Sequence, residues 1–141
     1  MEKAKGSTDS MIVALSIRQP WTELILSGHK TIEVRSWPTK YRGELWLHAG
    51  KKTDINALAR FNFSGKNISI GAILGKCELI DCVEFNDLTW EHWRTEHLNE
   101  GILTNKRFAW LLRNPVRVTP QPMKGKLGLM RIQDHAGQER L

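Results

Sequence analysis

The sequence is poor in cysteine, with only Cys77 and Cys82 among its 141 residues. The two lie five positions apart on a predicted strand, and this spacing places their side chains on opposite faces. Such a pair is suited neither to a local disulfide nor to shared metal ligation. We expect two buried thiols in a reducing compartment, which indicates a cytoplasmic protein.

Long hydrophobic runs are also missing. No stretch approaches the ~18 consecutive apolar residues that a membrane-spanning helix needs. The first ten residues are polar and lack the apolar core of a secretory signal. The sequence contains no repeat, no cluster of ligands with metal-site spacing and no glycine-rich phosphate loop. We expect no membrane association and no cofactor or metal, and we expect a monomer.

The composition that remains is typical of one globular domain. A hydrophobic fraction of 40% and a charged fraction of 26% fit a soluble fold. The length lies near the commonest domain size and permits a substantial core. We expect one domain over residues 12–132, between an N-terminal tail at residues 1–11 and a C-terminal tail at residues 133–141.

The net charge of +6 is distributed unevenly along the chain. Residues 30–52 carry six basic and two acidic side chains, and residues 113–131 carry five basic side chains and no acidic ones. Residues 78–100 instead carry seven acidic side chains. If the two basic stretches meet in the fold, they create the positive face typical of proteins that bind phosphate or nucleic acid. Solvated surface charge is the alternative interpretation.

One stretch, residues 15–37, has the pattern of strand, helix and strand, with polar residues at the joints. Pro20 suits a first helical turn, because its missing N–H is one that the helix leaves unpaired. Gly28 suits the helix end, where a left-handed residue closes the last turn. The next strand alternates, which places Ile32 and Val34 on one face and Thr31, Glu33, Arg35 and Trp37 on the other. We interpret the polar face as one wall of a ligand cleft.

The whole pattern predicts a strand-rich domain. Predicted strands lie at residues 12–17, 31–35, 44–49, 68–85, 108–112 and 126–132, and predicted helices at residues 20–27, 54–60 and 90–98. Gly71 and Gly75 are candidate bulge or corner positions. Three prolines in residues 114–122 predict an extended segment that is not a central strand. About six strands and three helices predict an α+β fold, a small curved sheet or β-barrel with helices at its rim.

Three segments carry an ordered set of motifs: Leu15-Ser-Ile-Arg-Gln-Pro-Trp21, Ser27-Gly-His-Lys-Thr-Ile-Glu-Val-Arg-Ser-Trp37 and Arg42-Gly-Glu-Leu-Trp-Leu-His-Ala49. Shorter matches follow at residues 70–75, 108–112 and 124–129. Together they resemble the ASCH domain (activating signal cointegrator homology), a branch of the PUA-like superfamily. The resemblance covers residues 12–132. It implies a PUA-like β-barrel whose cleft, beside the first helix, holds RNA, nucleotides or modified bases.

The resemblance also implies two kinds of activity. Some small bacterial ASCH proteins deacylate N4-acetylcytidine with a Lys, a Thr three residues later and a distant Glu, and others are reported as ribonucleases. Lys30 matches the lysine, and Glu78 is a candidate for the distant glutamate. Glu33 stands at the threonine position, where a carboxylate can act as a general base but cannot supply a hydroxyl. The sequence therefore leaves open whether the protein is an enzyme.

Eleven residues are candidates for contacting a ligand. They include cations that could hold phosphate, side chains that could contact or stack on a base, and the Lys–Glu pair. The set is Arg18, Gln19, Lys30, Glu33, Arg35, Trp37, His48, Lys51, Lys52, Lys124 and Lys126. Structural alternatives exist for each kind: helix capping for Gln19, a lid over the core for Trp37, and solvated surface for the lysines.

Three functions follow from these residues. The leading hypothesis is binding of RNA or a modified nucleoside in a basic cleft, with phosphates on Lys and Arg and a base stacked on Trp37. The alternative is a small hydrolase that uses Lys30 and Glu33 as an acid–base pair, and a plain ion pair competes with that interpretation. The third is a protein-interaction domain that uses the acidic helix, on which we expect His92 and His97 at the surface.

Overall fold

The computed structural model describes residues 11–133. Its strands are β1 (Met11–Gln19), β2 (Ile32–Arg35), β3 (Gly43–Thr53), β4 (Ala72–Glu84), β5 (Phe108–Pro122) and β6 (Leu129–Gln133). Its helices are α1 (Trp21–Leu26), α2 (Ile55–Arg60), α3 (Asp87–His92) and α4 (Arg94–His97). The predicted tails lie outside the described residues apart from Met11 and Gln133, which pair with each other in the sheet. Within residues 11–133, no helix has the length and apolarity to cross a membrane.

The six strands form one mixed sheet in the order β2-β5-β4-β3-β1-β6. Only β1 and β3 are parallel, and the other neighbours are antiparallel. The α+β class and the six strands are confirmed, but the predicted closed barrel is not formed, since β2 and β6 remain edges of the sheet. One contact spans the gap, because Arg35 Nη2 on β2 donates to the Ser16 carbonyl on β1 at 3.3 Å. The Arg35 side chain therefore bridges β1 and β2, where a closed barrel would have backbone hydrogen bonds between strands.

Both faces of the sheet are covered near β3. Alternation along this strand places Leu45 and Leu47 in the larger core, together with Trp110. Trp46 points the other way and packs with Met130 in a second cluster. The amphipathic pattern of β3 therefore separates two buried clusters rather than a core from solvent.

The strand β5 is longer than predicted and continues through the three prolines. It is a single strand of 15 residues, and it lies between β2 and β4. Only residues 108–111 pair on both sides, whereas the half that carries Pro115, Pro120 and Pro122 pairs with β4 alone. The prediction that residues 114–122 are extended and are not a central strand is therefore confirmed, and only the predicted strand end at residue 112 is wrong. The proline-bearing half of β5 is a sheet edge, where a missing N–H is tolerated.

The predicted acidic helix is two short helices, which meet at Trp93. His92 is exposed, but His97 is fully buried, so the prediction of a surface position is wrong for His97. Its ring stacks on Trp90 at 4.3 Å between centroids, and its Nε2 donates to the Trp90 carbonyl at 2.8 Å. Burial lowers the pKa of His97. A neutral ring thus belongs to the core of this helical unit.

The two thiols do not lie on opposite faces, contrary to the prediction. A shift in the β4–β5 pairing between Leu79 and Asp81 interrupts the alternation, and both Cys77 and Cys82 pack against the larger core. Both are free thiols. Burial raises the pKa of Cys77 to about 12, which keeps this thiol protonated and unreactive.

Gly75 lies at the irregularity predicted for the long strand. The pairing of β4 shifts there against both β3 and β5. Helix α1 packs directly on this glycine: an added Cβ would lie 2.4 Å from Leu26 Cδ2 and 2.5 Å from the Val116 carbonyl oxygen. The absence of a side chain therefore lets α1 lie close to the sheet.

Substitution of Gly75 by Ala is expected to destabilise the fold by about 1–3 kcal/mol, because the methyl group forces helix and strand apart. Urea unfolding measures the effect. Gly50→Ala is the matched control, since its Cβ would approach no closer than 3.2 Å, to Ser16 Oγ, and we expect a smaller loss. Equal stability of Gly75→Ala and the wild type would show that α1 does not depend on this contact.

Candidate functional site

A cleft of about 720 Å³ opens where β1 extends beyond β6. Strand β6 pairs with β1 only from Met11 to Leu15, so the edge of β1 from Ser16 onward lacks this partner. The connection between β5 and β6, residues 123–128, lines one side of the opening, and β2 and β3 contribute the others. The size lies within the range of about 300–1,000 Å³ that is usual for ligand sites.

Five exposed cations form the rim of this opening, which we call the basic cleft. Arg18 comes from β1, Lys51 and Lys52 from β3, and Lys124 and Lys126 from the connection between β5 and β6. The two basic stretches of the sequence therefore meet. Among the described residues that line the basic cleft, Glu33 is the only carboxylate. The local charge is strongly positive as a result.

The rim cations differ from cations on β4 and β5. Within residues 11–133, none of the five rim side chains forms an ion pair. By contrast, Lys76 pairs with Glu44 at 2.8 Å, and Arg113 pairs with Glu78 at 2.9 Å. No carboxylate within this range therefore compensates the charge of the rim.

The floor combines a buried carboxylate with a guanidinium. Glu33 on β2 is only 6% exposed, and its Oε2 accepts a hydrogen bond from Arg35 Nη1 at 2.9 Å. Arg35 uses its other terminal nitrogen on the Ser16 carbonyl. The fork of Arg35 therefore fixes both the carboxylate and the neighbouring strand.

Lys30 lies behind this floor and does not line the basic cleft. Its ammonium, 2% exposed, donates to the His97 carbonyl at 2.6 Å and stands 3.7 Å from Glu33 Oε1. It also lies 4.7 Å from the ring centroid of Trp21. Burial lowers the pKa of Lys30 to about 8, and the attraction of Glu33 opposes part of that change.

His48 anchors the segment that carries two of the rim lysines. The ring is 1% exposed, and its Nε2 donates to the Met123 carbonyl at 2.6 Å. The neutral ring can then accept at Nδ1 from the Ser16 hydroxyl, 2.9 Å away. Gly125 packs against both groups, since an added Cβ would lie 2.7 Å from His48 Cε1. His48 thus positions residues 123–126 over β1.

Besides Lys30, two candidate ligand residues lie outside the lining of the basic cleft, Gln19 and Trp37. Gln19 is fully buried, and its amide bonds the Ser69 carbonyl and the Glu23 N–H, each at 2.9 Å. Trp37 packs edge-on against Trp110 at 4.8 Å, in contact with the larger core. The structural alternatives considered for Gln19 and Trp37 match these contacts. Glu78 is also outside the lining, in its ion pair with Arg113.

Two polar or aromatic residues of the lining, Ser16 and Trp21, are absent from the candidates predicted from the sequence. Ser16 lies two positions before Arg18 on β1, so the alternation of a strand could have placed both on the same side. Trp21 is half-buried, packs against the larger core and lines the opening, so it supplies the aromatic wall that was predicted for Trp37. No group of three or more His, Cys, Asp or Glu residues in the described part of the chain could hold a metal ion.

Comparisons with known proteins agree with this fold. The ASCH domain model matches residues 15–123. Activating signal cointegrator 1 of Homo sapiens and that of Mus musculus are each 30% identical over 125 residues, covering 79% of this chain. The chain spans only 20% of the length of these curated relatives.

Solved structures give the same picture. The crystal structure of ASCH from Zymomonas mobilis has a TM-score of 0.63 at 18% identity, covering 84% of this chain and 85% of that one. A tyrosine-to-phenylalanine mutant of the Zymomonas mobilis protein gives a TM-score of 0.65 at 17% identity, covering 87% of this chain and 91% of that one. At these identities the likeness concerns the fold alone.

The buried ammonium of Lys30 is expected to make stability depend on pH. Its pKa of about 8 in the folded chain lies below the ordinary value of 10.5, so between these pH values the unfolded chain holds more protons. The free energy of unfolding then rises with pH across this window, by on the order of 3 kcal/mol. Urea unfolding of the wild type and Lys30→Met isolates this contribution as their difference. A difference that stays flat or falls across the window would contradict the burial of a charged Lys30.

Proposed function

Since this chain belongs to the ASCH domain family, we propose that it binds RNA or a modified nucleoside through the basic cleft. ASCH domains have a PUA-like fold that is associated with RNA binding. One observation carries the proposal: five exposed cations without ion-pair partners in the described residues surround an opening with a single carboxylate. Uncompensated cations around a concave surface favour a polyanionic ligand.

The remaining lining suits a nucleobase. Apolar side chains contribute to the walls of the basic cleft: Ile17, Trp21, Met123 and Leu127. Bases stack on aromatic and apolar surfaces with little sequence preference. In this arrangement the rim holds the phosphates, and a base enters between Trp21 and the connection that carries Leu127.

A second candidate function is hydrolysis of an acylated nucleoside or of RNA, with Lys30 and Glu33 as the working pair. The observation in its favour is the lowered pKa of Lys30, about 8, at 3.7 Å from Glu33. Glu33 lines the basic cleft while Lys30 lies behind it, so Glu33 would be the group that meets substrate. Lys30 would then set the charge balance of that carboxylate.

Binding of a short single-stranded RNA is expected to weaken steeply as salt rises. A double substitution of Lys124 and Lys126 by Ala should lower affinity and flatten the plot of log affinity against log salt by about 1.4, since each lost contact removes about 0.7. Fluorescence anisotropy measures both. The matched control is Lys66→Ala with Lys106→Ala, two exposed positions outside the lining. Salt-independent binding, or an equal effect of both pairs, would overturn the proposal.

If the protein is a hydrolase, Lys30→Met and Glu33→Gln should each abolish turnover of an acylated cytidine or an RNA. Wild-type activity should fall as pH rises above about 8, because deprotonation of Lys30 then removes the ammonium that balances the charge of Glu33. Chromatography of the products gives the measurement, and circular dichroism verifies that each variant is folded. The absence of product across a panel of acylated nucleosides and RNAs removes this candidate and leaves binding intact.

A further inference from the structure

Glu33 has hydrogen-bonding capacity that the described protein does not use. An ionised carboxylate only accepts hydrogen bonds and offers about four lone-pair positions. Arg35 occupies one of them, at Oε2. Oε1 forms an ion pair with Lys30, whose Nζ stands 3.7 Å away, so a lone-pair position for a further donor remains on the carboxylate.

The neighbouring cations are fixed by other bonds and do not fill that position. Lys30 donates to the His97 carbonyl at 2.6 Å, and Arg35 also bonds the Ser16 carbonyl. Each oxygen of an ionised carboxylate can accept two hydrogen bonds, so these contacts leave Glu33 able to accept from a further donor. Glu33 lines the basic cleft, so a bound ligand can supply that donor.

We propose that Glu33 reads the edge of the bound base, and that the base is guanine. This inference rests on the proposed function. Guanine presents two adjacent donors, N1–H and the N2 amino group, which match the two oxygens of one carboxylate. Adenine and cytosine place a ring-nitrogen acceptor beside their amino group, and uracil places its single N–H between two carbonyls. Each of these would set an acceptor against a carboxylate oxygen, a repulsive contact.

The surroundings of Glu33 suit a residue that hydrogen-bonds the edge of a base. Arg35 and Lys30 hold the carboxylate from two directions, so little conformational freedom is lost when a base binds. Trp21 lines the same opening and can cover one face of the base, and rim lysines can meet its phosphate. The ligand class is therefore a guanine nucleotide or a guanine within a single-stranded RNA.

Binding of nucleoside monophosphates tests the proposal on the wild-type protein. Calorimetry with GMP, IMP, AMP, CMP and UMP should show GMP binding about tenfold more tightly than AMP, CMP and UMP. IMP, which lacks the N2 amino group, should lose several-fold relative to GMP. This comparison needs no variant, so it holds even if a substitution on the floor disturbs folding.

Two variants separate the base contact from the phosphate contact. Glu33→Gln replaces one acceptor oxygen by a donor amide, and it should reduce the preference for GMP over AMP to about one. Lys124→Ala should instead weaken all five nucleotides by a similar factor. Equal, salt-dependent binding of all five by the wild type would overturn the guanine assignment and leave the proposed function standing. No binding of any nucleotide or short RNA at low salt would overturn both.

Discussion

The contacts of Arg35 hold together the two strands between which the basic cleft opens. Strand β2 is an edge of the sheet, and its partner β5 lies on the side away from β1. The guanidinium reaches from β2 to the Ser16 carbonyl of β1 and, with its other nitrogen, to Glu33. Because the sheet does not close, this fork sets the distance between the walls. It also supplies the hydrogen-bonded counter-charge of Glu33.

The helices are tied to that floor through Lys30. Its ammonium bonds the carbonyl of His97, the last residue of α4, where a helix leaves its carbonyls unpaired. Thr31 N–H donates to the Glu96 carbonyl, and the buried His97 ring packs on Trp90. The acidic helical segment therefore supports the floor of the basic cleft from below. The carbonyl at the end of α4 gives the buried ammonium of Lys30 a neutral acceptor, so no second carboxylate is needed there.

The local sequence pattern predicted a side chain's position correctly where its contacts are with residues nearby in the sequence. The alternation after Gly28 placed Ile32 in a core cluster and Glu33 in the basic cleft. The pattern failed where the partner is distant in sequence. The amide of Gln19 bonds Ser69, fifty residues away, and this bond keeps Gln19 out of the lining of the basic cleft. The bulge before Cys82 is likewise set by pairing with β5. The meeting of the two basic stretches depends on how far β6 extends along β1, which no local signal encodes.

The carboxylate at position 33 also explains why three charges occur together here. A hydroxyl at this position, as in the deacylase pattern, would be neutral and would leave Lys30 and Arg35 as two buried or half-buried cations facing each other. Glu33 lies between the two cations: its Oε2 is 2.9 Å from Arg35 Nη1, and its Oε1 is 3.7 Å from Lys30 Nζ. Because each cation has this carboxylate as a neighbour, the three charges can be buried together. The same geometry keeps the Lys30 ammonium away from the opening. At the floor of the basic cleft the exposed group is Glu33 and not Lys30, so the chemistry of the floor is that of an acceptor backed by two cations.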